Sequence, residues 1–139
     1  MVHTSEISLH MNGNTDIRDI TKEVAHIITQ SGISDGIACV FVIGSTAGIT
    51  TVEFEPGLVE NDIPRLFEQI ASKDAHYDHE ATWNDDNGHS HVRASLLGPS
   101  LSVPFSGQKL ALGTWQQIIV IDFDTRPRQR EIVVQLVGE

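Results

Sequence analysis

From Val2 to Met11 polar and apolar positions loosely alternate, with Ile7 and Leu9 on one face, and this period of two predicts a half-buried strand. The period then changes. In "NTDIRDITKEVAHIITQSG" the apolar residues Ile17, Ile20, Val24 and Ile27 or Ile28 recur at three- and four-residue steps, which predicts a helix capped by Asn14 or Thr15 and ended at Gly32. "GIACVFVIG" reads as a buried strand, and "ITTVEFE" as a strand with Glu53 and Glu55 on a polar face. A second helix follows, with Asn61 or Asp62 as cap, Pro64 in its first turn and Ile63, Leu66, Phe67 and Ile70 as its apolar stripe. Between Lys73 and Gly88 the pattern dissolves into a long polar loop. "LSVPF", "KLALGTWQQIIVIDFD" and "REIVVQLVG" then predict three or four further strands, separated by "SGQ" and "TRPRQ". Strands, two separated helices and more strands give an α+β fold with antiparallel sheets forming a sandwich or partly open barrel. A parallel α/β sheet is the weaker alternative, because the strand-rich end lacks crossover helices.

Composition narrows the functional classes. At 139 residues the chain suits one domain, 1–139, and an apolar fraction of 40% supports a packed core. A formal net charge of −10 disfavours binding of nucleic acid or an anionic membrane by the surface as a whole, so a phosphate-bearing ligand needs a local cationic site or a metal. No signal peptide or membrane-spanning run is recognisable, which reads as cytoplasmic. The only cysteine, Cys39, lies in an apolar run and reads as a buried, inert thiol.

The chemistry concentrates in "NDDNGHSHVRASLLGPS", Asn84 to Ser100, and just before it. His76 and His79 are three apart, His89 and His91 two apart, and Asp85 and Asp86 lie between the pairs. Imidazole and carboxylate are the usual ligands of zinc and related ions, and a His-x-His pair on an extended segment points both rings the same way. The competing reading is a hydrophilic loop with scattered histidines. His3, His10 and His26 lie far from the cluster in sequence and read as ordinary surface or hydrogen-bonded side chains. "STAGITT" places Ser45 and Thr46 after a buried strand, where hydroxyls and backbone N–H groups can hold an anion. Arg93 and Ser95 can add a charge-assisted contact to phosphate. "TRPRQR", with Arg126, Arg128 and Arg130, reads as a solvated hairpin tip. In "GTWQQ", Trp115 and Gln116 suit either the core or the wall of a pocket for a flat heterocycle.

Taken together, "STAGITTVEFEP", "YDHE", "DDNGHSHVRASLLGPSLSVP", "LALGTWQQIIVIDFD" and "RQREIVVQL" resemble, in order and spacing, the YjbQ-type family, described also as secondary thiamine-phosphate synthases. The resemblance covers nearly the whole chain. It implies a compact β-sandwich fold, a homotrimer with clefts where subunits meet, and a phosphorylated small-molecule substrate. The implied activity is a transferase that joins a hydroxymethylpyrimidine diphosphate to a thiazole phosphate and releases pyrophosphate. Carried over by residue, the family motif points to Glu53, His79, Asp86, His91, Ser95 and Gln116. On this expectation His79, His89 and His91 hold a divalent metal, zinc or magnesium, with Asp86 and Glu53 as further ligands or as acceptors that orient the rings. Glu53, Asp86 and Gln116 form the catalytic set, while Ser45, Thr46, Arg93, Ser95 and Trp115 bind substrate. One departure stands out: Gly44 occupies a position where relatives often carry a histidine. A trimeric phosphometabolite-binding protein without turnover and a metal-dependent hydrolase are the alternative readings.

Overall fold

The computed structural model describes residues 1–139. All strand pairs are antiparallel. A five-stranded sheet has the order β1 (Val2–Met11), β8 (Arg128–Gly138), β3 (Gly36–Val42), β5 (Ser100–Ser106), β6 (Lys109–Leu110). A three-stranded sheet has the order β2 (Asp16–Asp19), β7 (Gln117–Asp122), β4 (Ala47–Val52). Together they curl into an α+β half-barrel carrying four helices: α1 (Thr21–Ser31), α2 (Ile63–Ile70), α3 (Asp78–Trp83) and α4 (Gly88–Leu97). None of these helices is long and apolar enough to cross a membrane.

β7 explains how the layers meet. Its run Ile118–Ile121 is apolar at every position, because both of its faces are covered. Ile118 and Val120 enter the main core with Val40, Val134 and Leu136 of the larger sheet and Val24 and Ile28 of α1. Ile119 and Ile121 face the other way, into a smaller cluster with Phe67 of α2, Ala94 of α4 and Phe123. Phe67 and Phe123 meet edge to face, with centroids 4.7 Å apart, an arrangement that adds about 0.5–1.5 kcal/mol beyond area burial. The second cluster fixes α2 and α4 against β7, and with them the histidine-rich segment.

Several local expectations change. The helix anticipated from Asn14 begins only at Thr21, because Ile17 belongs to β2, paired with Ile121 of β7. Gly32 does end α1, at φ 74°. β4 stops at Val52, before Glu53, and a single π-helical turn over Gly57–Asp62 leads into α2. Of the stripe assigned to α2, Phe67 alone is buried. Cys39 is half-buried on the outer side of β3 rather than sealed in the core. The largest difference lies in the long loop and the stretch after it, which form α3 and α4.

Candidate functional site

α4 decides which of the expected site residues meet. In a helix, positions two apart diverge by about 200°, whereas positions four apart share a face. His89 and Arg93 therefore occupy one side of α4, and His91 and Ser95 the other. The extended His-x-His arrangement is corrected accordingly. His79 of α3 and His91 lie together, with ring centroids 4.5 Å apart, while His89 packs near Tyr77, at 6.3 Å, facing a different cavity. No group of three His, Cys, Asp or Glu side chains is placed to hold a metal ion, so His79, His89 and His91 do not form one ligand set in this chain. The same geometry separates the expected phosphate grip: Arg93 is buried against Glu68, while the Ser95 hydroxyl donates to Val92 O at 2.8 Å on the exposed side.

What His79 and His91 do face is a cleft of about 380 Å³, shared with Gly44, Ser45, Thr46, Asn87, Arg128 and Arg130. Such a volume suits a small ligand. Arg130 is its foundation. Only 4% exposed, it makes a paired contact with Asp122, from Nε at 2.7 Å and Nη2 at 2.8 Å, and Nη2 also donates to the Thr46 hydroxyl at 2.7 Å. Its third nitrogen, Nη1, has no hydrogen-bonding partner in the protein and points at Gly44, where a Cβ would come within 2.6 Å of it. Gly44 has φ 133°, so a side chain there is disfavoured both by backbone conformation and by Arg130. The N–H groups of Gly44, Ser45 and Thr46 make no hydrogen bond within the protein; Gly44 and Ser45 are exposed, and Thr46 is the buried one of the three.

A second ion pair reinforces the first. Asp124, 1% exposed, accepts from Arg128 Nε at 2.6 Å, from the Thr46 hydroxyl at 2.9 Å and from the Thr125 N–H at 2.7 Å. Burial pushes its carboxyl up, but these donors outweigh burial and hold it below the usual carboxylate range. The Asn87 amide spans from Asp124 to His79, donating from Nδ2 to Asp124 Oδ1 at 3.5 Å and accepting at Oδ1 from His79 Nε2 at 3.1 Å. Since Asn87 Oδ1 can only accept, Nε2 of His79 is the donor in this contact.

The remaining expected residues lie elsewhere. Asp86 accepts from the Thr125 hydroxyl at 2.9 Å and approaches Arg126 Nη2 at 3.7 Å, tying the α3–α4 connection to the β7–β8 turn from an exposed position. Glu53, Trp115 and Gln116 stand at the far end of β4, whose length separates them from the cleft by on the order of 16 Å. Gln116 there donates to the Thr51 hydroxyl at 3.1 Å, and Trp115 is 71% exposed. Arg128 and Arg130, read as a hairpin tip, begin β8 instead. Their signal was parity, since Arg130 shares its strand face with buried Ile132, Val134 and Leu136.

A family model for "UPF0047 protein YjbQ-like" matches residues 5–139. A UPF0047 protein of Methanothermobacter thermautotrophicus is 39% identical over 99% of this chain and 94% of its own length. UPF0047 protein YugU of Bacillus subtilis is 33% identical over 86% of this chain and 88% of its own. The crystal structure of a YbjQ-like protein of unknown function from Sulfolobus solfataricus superposes with a TM-score of 0.93 at 34% identity, covering 100% of this chain and 99% of that one. These findings correct the expected function. The family and its relatives are described without any synthase activity, the Sulfolobus protein explicitly as being of unknown function, so the metal-dependent thiamine-phosphate transferase reading falls. Within the chain, Trp115, expected to bind substrate, and Gln116, expected in the catalytic set, stand apart from the histidines. Family-model coverage from Ser5 to the last residue, together with relatives above 30% identity along most of their lengths, places the chain in the YjbQ-like UPF0047 family.

Proposed function

We propose that the cleft between the Gly44–Thr46 turn and the start of β8 binds a small phosphorylated metabolite, with its phosphoryl group seated against Arg130. One observation carries this reading: three consecutive unpaired backbone N–H groups lie beside an unpartnered Nη1 on an otherwise fully committed, buried arginine. Free N–H groups in a turn, beside a fixed guanidinium N–H, are a recurrent way of holding an anion. Asp122 and Asp124 do not cancel the preference. Each neutralises one guanidinium while fixing its direction, so the remaining N–H donors are held ready for oxyanion oxygens. The half-exposed Arg128 closes one side, and His79 and His91 stand where they can donate to, or accept from, the ligand.

Calorimetric titration with inorganic phosphate tests the proposal. Arg128→Met should weaken binding by about 1.5–3 kcal/mol, the scale of hydrogen bonds involving charged groups. Wild-type protein that takes up no phosphate at millimolar concentration, or a variant with unchanged affinity, would remove the reading.

Self-association is part of the same proposal, as a homotrimer. It is supported by a row of apolar side chains across the outer face of the larger sheet: Val2, Val137, Ile37 and Pro104 are neighbours on four adjacent strands and all are exposed. Contiguous exposed apolar surface of this kind marks an interaction site.

A further inference from the structure

The face of α4 turned away from the cleft borders a second cavity, of about 450 Å³, walled by His89 and Arg93, by Glu68 of α2, by Lys73, and by Asn14 and Thr15 of the turn before β2. We infer that this cavity is a binding site for a small monocarboxylate, separate from the phosphate cleft.

The residues are held as they would be for such a ligand. Arg93 is 5% exposed and anchored on three sides: Nε donates to Ala71 O at 2.9 Å, Nη2 to Glu68 at 2.7 Å, and Nη1 reaches the Thr15 hydroxyl at 3.4 Å. A guanidinium has five N–H donors, so two remain uncommitted. His89 is also 5% exposed, yet neither ring nitrogen has a partner in the protein. Those nitrogens are not sealed in either, since the Ser90 hydroxyl is the only side-chain polar atom both enclosed and unpartnered. They open onto the cavity that His89 lines. A buried imidazole without a partner is costly unless something satisfies it.

The backbone supports the same conclusion. Gly13, Asn14 and Thr15 have φ 76°, 54° and 66°, and a left-handed conformation at β-branched Thr15 is strained. Two bonds impose it, Asn14 N–H to Asp124 O at 2.7 Å and Thr15 N–H to Asp122 O at 2.8 Å, and they bring the Thr15 hydroxyl to Arg93. The donors set the ligand class. The unpartnered His89 ring and the uncommitted N–H groups of Arg93 face one cavity, a pairing that suits the two oxygens of a planar carboxylate, and the acids around His89, namely Glu68, Glu80 and Asp86, favour a ligand with a single negative charge. His89 and Arg93 then supply N–H donors to the two carboxylate oxygens, with Lys73 at the rim.

Histidine-resolved NMR of the full chain separates this site from the cleft, using sodium acetate and inorganic phosphate as probes at fixed pH and ionic strength. Acetate should shift the His89 imidazole resonances saturably while leaving His79 and His91 in place. Lys73→Met should weaken the acetate response at least tenfold, and Lys73→Arg should retain it. Lys73 is exposed, so folding of these variants is not at stake. Acetate that moves His89 no more than exposed His10 and His26, phosphate that competes at equal concentration, or a Lys73→Met variant with an unchanged response would each overturn the assignment.

Discussion

Arg130 and Asp122 show how one pair of residues sets both stability and site. Two opposite charges are nearly removed from water, so each depends on the other, and breaking such a pair by truncating one partner costs about 3–5 kcal/mol. Asp124 lies beside them and gives the arrangement a pH signature. Its carboxyl is held below the ordinary value because the Thr125 N–H, Thr46 and Arg128 outweigh burial. An acid with a depressed folded-state pKa stabilises the fold above its unfolded value, near 3.8, and the contribution is lost as pH falls through the lower, folded-state value. Urea unfolding at pH 7 and at stepped values below 4 should therefore show Asp124→Asn less stable than wild type by about 1–3 kcal/mol at neutral pH, with the gap closing as acid is added. A gap that stays constant down to pH 2 would mean that Asp124 contributes by packing and not by charge. These acids and arginines were legible in the sequence only through parity, because a charged residue in register with a buried strand face has to find a partner inside. Reading "TRPRQR" as a turn hid that constraint.

At the scale of elements, α4 is the segment whose chemistry was visible and whose structure was not. Its buried positions are Gly88, His89, Ser90, Arg93 and Ala94, so no apolar stripe with a 3.6-residue period announces a helix. β1, β3 and the end of α1, by contrast, bury aliphatic side chains with the expected period, and β7 buries an unbroken apolar run, so these were readable. The polar burial in α4 exists because the helix is wedged between two cavities and against α3. Gly88 marks the tightest point. Its N–H donates to Glu80 at 2.6 Å, and a Cβ there would come within 2.5 Å of Tyr77 Cβ and 2.6 Å of Glu80 Oε1. Replacing glycine with alanine ordinarily favours a helix by up to about 1 kcal/mol, but overpacking costs about 1–3 kcal/mol, and here the collision falls partly on a Cβ that cannot rotate away. Gly88→Ala should thus lower the urea midpoint despite the better helix former. A raised midpoint would show that α3 moves aside freely, and the fixed spacing of His79 and His91 would lose its basis.

Across the whole molecule, β7 separates two packed regions, and the strands of the smaller sheet expose no aliphatic side chain, although α2 and α4 expose Leu66, Ile70, Val92 and Leu96. The larger sheet differs. Its inner face supplies most of the main core, but its outer face carries Val2, Val137, Ile37 and Pro104 side by side, with Ile37 51% exposed and Val137 53% exposed. A row like this is costly in water and invites a partner, and a formal charge of −10 works against it by making identical copies repel at long range. Apolar contact acts only at short range and is little affected by salt, whereas the repulsion is screened within about 8 Å at physiological ionic strength. Association should therefore strengthen with salt, the opposite of an interface held by ion pairs. Light scattering at micromolar protein should give a mass near three chains in 0.15 M salt, with more dissociation as salt is removed. Ile37→Glu, on the outer side of β3 and clear of the core, should yield a folded monomer with unchanged circular dichroism. A wild-type mass equal to one chain at every salt concentration would sink the oligomer, and an Ile37→Glu variant that keeps the wild-type mass would place the contact on some other surface.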